Sequence, residues 1–336
     1  MNRRAFLYAT ASAASLIAAG VAEAAPAAQP GERQAVVVSY LEDLREDAAE
    51  RGDMRQAEYL EALVAEDLLQ ALPFLTVSGG ALKREGERFT TIKPRSEDTL
   101  KIMCGDCDVD AALVEDSGAS LLSLRRRMHH RLAAKSLVDR MINGDGTAAY
   151  AYSTGLKHRI ADDAVLDMGG PLRLAVLDRA IEQTNATHLV TSKRMRNLLT
   201  VGARPSTDHV YIGWDKDENG RRIATYTTRQ GRTVTILCTD YNEVDAQIID
   251  FNEPGDTTSI YVVALKPEGV VGLMNNPPQV ADLGLISKET APPGYRDAVD
   301  HPPLYRTRVE WLVEGSILGN HAAIRLSGIA KGAVQT

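Results

Sequence analysis

The segment GASLLSLRRRMHHRLAAKSLVDRMINGDG, residues 118–146, carries the clearest structural signal in the chain. Apolar side chains recur in it at steps of three and four, which predicts a long amphipathic helix. Asn143-Gly144-Asp145-Gly146 is predicted to end that helix, because glycine accepts the left-handed conformation that a helix terminus needs. The apolar stripe consists of Leu121, Leu124, Met128, Leu132, Val138 and Ile142, with Leu137 and Met141 beside it.

The composition of the 336-residue chain is typical of a globular protein, with 44% hydrophobic residues, 25% charged residues and a net charge of −7. A chain of this length can form one large core or two smaller ones. Three cysteines exclude a disulfide framework. The acidic balance argues against a surface wrapped entirely in nucleic acid, but it is compatible with a local basic face.

Residues 1–31 are expected to lie outside the fold, as a signal-like or disordered segment. Asn2-Arg3-Arg4, an apolar run to Val21 and Ala22-Glu23-Ala24 have the three parts of a twin-arginine export signal. The alternatives are an Ala-rich arm or a start codon assigned too far upstream. The apolar run is too short for a comfortable membrane span, so no membrane association is expected.

The residues before the long helix divide into a helical part and an extended part. Residues 32–72 predict two helices joined by a turn at Arg51-Gly52-Asp53. Strand patterns at 74–77, 82–84, 88–92 and 99–103 then predict a long β-hairpin. Because this hairpin has few core residues of its own, it is expected to lie on another surface, such as a neighbouring subunit.

The residues after the long helix predict a mixed α and β domain, and the fold class predicted for the whole chain is α+β. Residues 150–164 predict a loop, Gly170-Pro171 opens a second amphipathic helix, and Ser192 caps a short third one. Near the end, two extended strands are expected to be joined at a Gly-rich corner. Strands are predicted at 188–190, 210–212, 222–227, 233–238, 247–250, 259–265, 270–273, 307–313 and 322–326.

The motifs of catalytic and metal sites are weak in this chain. Cys104-Gly105-Asp106-Cys107 has metal or redox spacing, but the preferred interpretation is two small residues at the end of a strand. Residues 215–220 copy the opening of a calcium loop, but Asn219-Gly220 fits a hairpin turn better. His129-His130 lacks the Glu-x-x-His partner of a zinc helix. The chain is therefore not expected to be an enzyme, and no cofactor or metal is expected.

The basic side chains of the long helix have two interpretations. They form either a solvated or intersubunit salt-bridge surface, which is preferred, or a face that contacts phosphates. The candidates for intersubunit or DNA contact are Arg125, Arg126, Arg127 and Arg131 on the helix, with Lys83 and Lys93 on the hairpin.

Short segments between Leu72 and Ile329 follow a recognisable order. They are Leu72-Pro73-Phe74, Gly105-Asp106-Cys107-Asp108-Val109-Asp110, Ile142-Asn143-Gly144-Asp145, Gly155-Leu156, Ser259-Ile260-Tyr261, Ala281-Asp282-Leu283-Gly284, Arg308-Val309-Glu310-Trp311 and His321-Ala322-Ala323-Ile324-Arg325-Leu326-Ser327-Gly328-Ile329. In this order and spacing they resemble the major capsid proteins of tailed phages with the Hong-Kong-97-like fold, to which encapsulins are related. The positions that carry the family motifs are Asp108, Asp110, Asn143, Gly144, Asp145, Glu310, Trp311 and Arg325.

The resemblance implies a domain plan for the chain. Residues 32–72 would be a helical N-terminal arm, and residues 73–104 an extended loop that overlaps the next subunit. Residues 105–155 would form a peripheral domain with the long helix as its spine, whose apolar stripe is expected to face Trp311. Residues 156–291 would form a mixed α/β axial domain, and the strands of 304–330 would return to the peripheral domain.

The resemblance also implies a function. The chain would be the structural subunit of a tailed-phage or prophage icosahedral capsid, which self-assembles into hexamers and pentamers and encloses double-stranded DNA without sequence specificity. Its location would be the virion, assembled in the host cytoplasm with scaffolding, portal and decoration proteins as further partners. The alternatives are an encapsulin-like shell, or an exported periplasmic binding protein if the twin-arginine-like start is genuine.

Overall fold

The structure is a computed structural model that describes residues 38–76, 101–117, 119–147, 153–202, 211–216, 222–239, 241–242, 244–287 and 302–335. The predicted export segment, the tip of the predicted hairpin with Lys83 and Lys93, and Asn219-Gly220 lie outside these residues. The described α-helices are α1 (Leu41–Glu50), α2 (Met54–Val64), α3 (Asp67–Ala71), α4 (Ala111–Ser117), α5 (Ala119–Asn143), α6 (Leu156–Arg159), α7 (Leu174–Thr184) and α8 (Lys193–Gly202).

The described strands form two sheets. They are β1 (Val38–Ser39), β2 (Phe74–Thr76), β3 (Lys101–Asp110), β4 (Val165–Gly170), β5 (His188–Thr191), β6 (Tyr211–Lys216), β7 (Arg222–Thr227), β8 (Thr233–Cys238), β9 (Thr257–Val263), β10 (Val270–Met274), β11 (Gln279–Ile286), β12 (Leu304–Ile317) and β13 (Ala323–Ala330). Helices and mixed sheets together confirm the predicted α+β class.

The six-stranded sheet is built around the long strand β12. Its order is β1-β2-β10-β12-β11. Strand β3 also pairs with β12, on the side opposite β11. The β3–β12 ladder is antiparallel and runs without a break from Leu304 opposite Asp110 to Val313 opposite Lys101. The sheet therefore joins segments from the beginning, middle and end of the chain.

The seven-stranded sheet has the order β4-β13-β9-β5-β8-β7-β6. β5 is parallel to β8 and antiparallel to β9, and β13 is parallel to β4 and antiparallel to β9. Helices α7 and α8 pack on one face, where Leu177, Leu199, Ile236 and Leu326 belong to one buried cluster. The opposite face contributes side chains such as Tyr261 and Val263 to the main core.

The main core joins the N-terminal helices, α5 and both sheets. Leu41, Leu60 and Leu69 from α1, α2 and α3 are buried in it, together with Ile142 and Trp311. The helices of residues 41–71, expected as an N-terminal arm, therefore pack against the main core of the same subunit. Burial of each such side chain contributes roughly 1.5–3 kcal/mol.

Several predictions of local structure are confirmed. Arg51-Gly52-Asp53 is the turn between α1 and α2: Gly52 has a φ of 76°, and the Asp53 side chain accepts a hydrogen bond from the backbone of Gln56. Ser192 caps α8, because its Oγ accepts from the Met195 backbone at 3.1 Å. β7 and β8 have the predicted bounds. The last two strands are joined near Gly319-Asn320, as predicted, and they belong to different sheets, β12 to the six-stranded and β13 to the seven-stranded sheet.

Other predictions of local structure were wrong. β2 and β3, at the base of the predicted hairpin, pair with β1, β10 and β12 and not with each other. Pro171 does not open a helix, since β4 ends at Gly170 and α7 begins at Leu174. Residues 247–250 contain only an isolated bridge at Gln247.

Candidate functional site

The N-terminal half of α5 packs through polar side chains and not through the predicted stripe. Arg126 donates two hydrogen bonds to the Glu58 carboxylate on α2, at 3.0 and 2.7 Å, and Arg127 donates a third at 3.1 Å. The Arg126 and Glu58 side chains are only 17% and 15% exposed. Both arginines therefore form ion pairs within the subunit, and their expected contact with another subunit or DNA stays a prediction.

One turn further along α5, His130 is completely buried against α2. Its ring meets the Tyr59 ring edge to face, with 5.1 Å between the centroids. Among the described residues neither ring nitrogen has a hydrogen-bond partner. Burial lowers the pKa of His130 to about 4, against a weaker opposing effect of Glu58, so the ring is neutral near pH 7.

The apolar stripe of α5 is divided between the core and the surface. Val138 and Ile142 are buried in the core that contains Trp311, as predicted. Leu124, Met128 and Leu132, however, are 56%, 49% and 42% exposed. Arg125 and Arg131 are exposed on the same half of the helix. We call Leu124, Met128 and Leu132 the α5 stripe.

The C-terminal end of α5 is held by two amides. Asn143 donates from its side chain to the Asp139 carboxylate at 2.8 Å and to the Ile248 carbonyl at 2.9 Å. Asn242 donates to the second oxygen of Asp139 at 2.9 Å. Asn143 thus ties the helix end to the loop before β9 and has a structural role.

Gly144 is required here for close approach of two backbones and not for a left-handed conformation. Its φ is not positive, and an added Cβ would lie 2.6 Å from the carbonyl oxygens of Arg140 and Ser153. The amide of Gly155 donates to the Gly144 carbonyl at 2.8 Å. The motif segments 142–145 and 155–156 therefore cross at this point. The left-handed conformation predicted for this helix terminus is therefore found at Gly146, which has a φ of 79°, and not at Gly144.

Asp145 forms a turn beside this crossing. Its Oδ1 accepts from the Thr147 backbone at 2.9 Å, and hydrogen bonds from Thr147 lower the pKa of this exposed carboxyl. The segment 143–146 is thus a helix terminus, as predicted, and its side-chain hydrogen bonds are internal.

The motif segment 105–110 pairs with the motif segment 308–311 in the β3–β12 ladder. Arg306 holds the Asp108 carboxylate with two hydrogen bonds at 2.7 and 2.6 Å. Asp110 accepts from the Ala112 backbone at 2.9 Å, at the start of α4. The two motif aspartates therefore fix the end of the ladder and the turn into α4.

Trp311 anchors β12 in the core and is only 2% exposed. Its indole donates to the Asn276 carbonyl at 3.0 Å, and its ring lies 5.4 Å from the Phe74 ring, centroid to centroid. Glu310, one residue earlier, points to the other side of the strand, as the period of two requires. There it lines an open groove of about 770 Å³ together with Arg51, Asp53 and Arg308.

Arg325 on β13 is the centre of a half-buried polar cluster. It donates to Ser259 Oγ at 3.0 Å and to the Glu253 carboxylate at 2.8 Å. Its guanidinium lies 5.9 Å from the centroid of the Tyr261 ring. This motif arginine therefore connects β13 and β9 with the loop before β9.

A buried ion pair that the sequence analysis did not single out joins α6 to β12. Arg159 donates to the Glu314 carboxylate at 3.1 Å and to the Thr154 carbonyl at 2.6 Å. The two side chains are 5% and 2% exposed. Burial raises the pKa of Glu314, while Arg159 acts in the opposite direction. A lone Glu in an alternating strand gives no sequence signal of burial.

The cysteine motif does not form a site of the thioredoxin or zinc type. Cys104 and Cys107 both lie within the strand β3 and not at the N-terminus of a helix, where a reactive thiol pair of this spacing is found. Cys107 is buried, and burial raises the pKa of its thiol. Within the described ranges, no three His, Cys, Asp or Glu side chains are close enough to share a metal ion. No helix in the described part of the chain is long and apolar enough to cross a membrane.

The chain is similar to known proteins in structure only. No family model and no curated protein matches the chain. The holo-SrpI encapsulin complex from Synechococcus elongatus PCC 7942 is 14% identical, over 70% of this chain and 76% of that one, with a TM-score of 0.48. A virus-like particle from Pyrococcus furiosus is 13% identical, over 82% and 98%, with a TM-score of 0.44. The capsid of the myophage XM1 is 12% identical, over 75% and 83%, with a TM-score of 0.41.

Proposed function

We propose that this chain is the structural subunit of a closed protein shell of the tailed-phage capsid type. The observation that carries the proposal is the α5 stripe. Three large apolar side chains at steps of four form one ridge along a rigid 25-residue helix, and all three are more than 40% exposed. Such a ridge on the surface of a subunit is typical of a protein contact.

The free energy gained by burying the α5 stripe is large enough to support a subunit contact. Burying each of these side chains against a second protein contributes up to roughly 1.5–3 kcal/mol. A shell multiplies that contribution by its number of equivalent contacts, so weak individual contacts suffice for assembly. The exposed Arg125 and Arg131 beside the stripe then form the polar rim of the contact, and we propose the intersubunit role for these two arginines.

The motif residues support a structural role for the chain. Asp108, Asn143, Trp311 and Arg325 form contacts that join distant parts of one subunit, and Asp110 and Gly144 fix local turns of the backbone. Each of these residues thereby stabilises a rigid framework, which is what the building block of a shell requires.

The finer parts of the proposal follow from the resemblance of the motifs. Strands β4 to β9 of the seven-stranded sheet lie within residues 156–291 and would belong to an axial domain at the centres of hexamers and pentamers. Double-stranded DNA would be enclosed without sequence specificity, by a wall whose net negative charge keeps contacts with phosphates weak. The location would be the virion, after assembly in the host cytoplasm with scaffolding, portal and decoration proteins.

Expression of the full chain, and of the chain from Ala35 onward, tests the proposal. We expect closed shells or capsomers in negative-stain microscopy and in sedimentation of the cytoplasmic fraction. A monomer that persists at high protein concentration and in the presence of a macromolecular crowding agent would contradict the proposal. DNA protected from nuclease inside the particles would support the capsid, whereas protein cargo without DNA would support the encapsulin-like alternative.

A further inference from the structure

The outer edge of the seven-stranded sheet carries an unusual group of exposed side chains. Trp214 on β6 is 47% exposed, although tryptophan is normally among the most buried residues of a protein. The guanidinium of Arg196 lies 5.4 Å from the centroid of its ring, and that of Arg222 lies 5.1 Å from it. We call these three residues the basic edge.

Neither arginine of the basic edge has an ion pair in the described part of the chain, although Asp67 on α3 lines the same pocket as both. The buried Nε of Arg196 has no hydrogen-bond partner there. Asp215, the acid nearest along β6, accepts instead from the backbone amide of Lys216 at 2.8 Å. Because side chains alternate along a strand, Asp215 points to the face opposite Trp214. Two guanidinium groups beside one indole ring favour the binding of an anionic group from another molecule.

The opposite edge of the same sheet is acidic. Asp162 and Asp163 lie in the short 3-10 turn before β4, and Asp167 lies on β4 itself. All three are exposed, and no ion pair involves them among the described residues. We call them the acidic edge. Seven strands separate the two edges by about 29 Å, at about 4.8 Å per strand, so one subunit cannot bring them together.

We propose that the basic edge of one copy binds the acidic edge of the next copy around a ring. The proposal rests on the proposed shell function and names the contact that holds a capsomer together. The two edges are different surfaces on opposite ends of one sheet, so their contact is heterologous and generates a closed ring when the rotation fits. Trp214 supplies apolar area at the centre of the contact, and the arginines meet the three aspartates around it.

Charge reversal tests the pairing. One variant carries Arg196→Glu and Arg222→Glu, and another carries Asp162→Lys, Asp163→Lys and Asp167→Lys. Each variant places like charges opposite each other, so we expect the protein concentration needed for assembly to rise roughly tenfold or more. A variant with both sets of changes restores opposite charges and should assemble near the wild-type concentration.

Mixing the two single-edge variants gives a second test that does not depend on how well either assembles alone. An acidic-edged copy and a basic-edged copy can alternate around a ring of six but not around a ring of five. We therefore expect the mixture to form hexamers or flat hexamer arrays, and no closed shells, in electron microscopy. Formation of hexamers also shows that both variants are folded.

Arg173→Glu with Arg179→Glu is the matched control, because both arginines are exposed on the same domain away from β6. This control should assemble like the wild type. If the wild type assembles and the single-edge variants assemble equally well, or if the control fails as they do, the edge pairing is wrong while the shell function stands. If the wild type itself forms no oligomer, both proposals are wrong.

Discussion

At the scale of single residues, the end of α5 depends on a backbone contact that leaves no room for a side chain. Gly144 and Gly155 meet where the end of α5 crosses the start of α6, and a Cβ at Gly155 would lie 2.6 Å from the Ile142 carbonyl. One methyl group at either position must therefore displace backbone atoms. Backbone shifts of this kind typically cost about 1–3 kcal/mol.

Gly144→Ala is expected to lower the free energy of unfolding by about 1–3 kcal/mol, because the new Cβ displaces the carbonyls of Arg140 and Ser153. Urea denaturation followed by circular dichroism measures the change. Gly170→Ala is the matched control: no atom lies within 4 Å of its Cβ position and its φ is not positive, so it should be neutral or slightly stabilising. Equal destabilisation by both substitutions would refute the crowding at Gly144.

His130 makes the stability of the subunit depend on pH. Because its pKa falls from 6.5 to about 4 on folding, the unfolded chain binds more protons between these values. The free energy of unfolding therefore decreases as the pH falls through this window, by up to roughly 3 kcal/mol from this residue.

His130→Leu removes this dependence. We expect the curve of unfolding free energy against pH to be flatter between pH 6.5 and 4 than that of the wild type. Protonation would otherwise place a buried charge beside Tyr59, close to the ion pair of Glu58 and Arg126. Exposed His321→Leu is the control for the change in composition, and a wild-type slope in His130→Leu would show that His130 does not titrate in this window.

At the scale of elements, α5 has two different halves. The C-terminal half is buried by apolar contacts, while the N-terminal half is held to α2 by Glu58 and leaves its apolar side chains exposed. The charged side chains of the helix therefore do not share one role. Arg126 stabilises the subunit, and Arg125 is exposed beside the α5 stripe.

Arg126→Ser is expected to lower the free energy of unfolding by about 1–3 kcal/mol, since it leaves the half-buried Glu58 with only the exposed Arg127. Arg125→Ser should change it by less than about 0.5 kcal/mol. Thermal and urea denaturation of the two variants measure the difference. Equal stabilities would mean that the pair between Arg126 and Glu58 is not formed in solution.

Replacement of the α5 stripe separates folding from assembly. Leu124→Gln, Met128→Gln and Leu132→Gln together should leave the circular dichroism spectrum unchanged, because the three side chains are exposed in the single subunit. We expect this variant to stay monomeric where the wild type assembles, as judged by analytical ultracentrifugation. Ser120→Gln, at an exposed position of α5 outside the stripe and its two arginines, is the control, and assembly of the stripe variant would exclude the stripe as a contact.

At the scale of the whole molecule, the two sheets contribute to one main core. The buried pair of Arg159 and Glu314 connects α6 with the C-terminal part of β12. Its near-complete burial makes it sensitive to the loss of one partner, because the other charge is then buried without compensation.

Arg159→Met is expected to lower the free energy of unfolding by about 3–5 kcal/mol, because it leaves the Glu314 carboxylate buried without a cation. Arg159→Met with Glu314→Gln should recover part of this loss, since the uncompensated charge is gone. Double-mutant analysis of urea denaturation measures the coupling. Additive effects of the two substitutions would show that the pair is not coupled.

Much of the local structure was predictable from the sequence. The long helix, the turn at Arg51-Gly52-Asp53, the Ser192 cap and the bounds of β7 and β8 follow from periodicity and turn residues, which act over a few positions. The motif residues were also identified, but only as positions in a pattern. Arg159 and Glu314 were missed because burial in an alternating strand has no local signal.

The sequence by itself determined the α+β class, the long helix and its termination at Asn143, because these depend on neighbours along the chain. Only the tertiary structure decided which face of α5 is buried, that β12 and β13 belong to different sheets, and that Arg126 pairs with Glu58. The periodicity of apolar and charged residues indicates which side chains share a face of a helix or strand. The surface that covers each face, however, comes from segments far away in the chain. For α5 the covering surface in its N-terminal half is polar, and the apolar stripe that defined the helix in the sequence is left exposed.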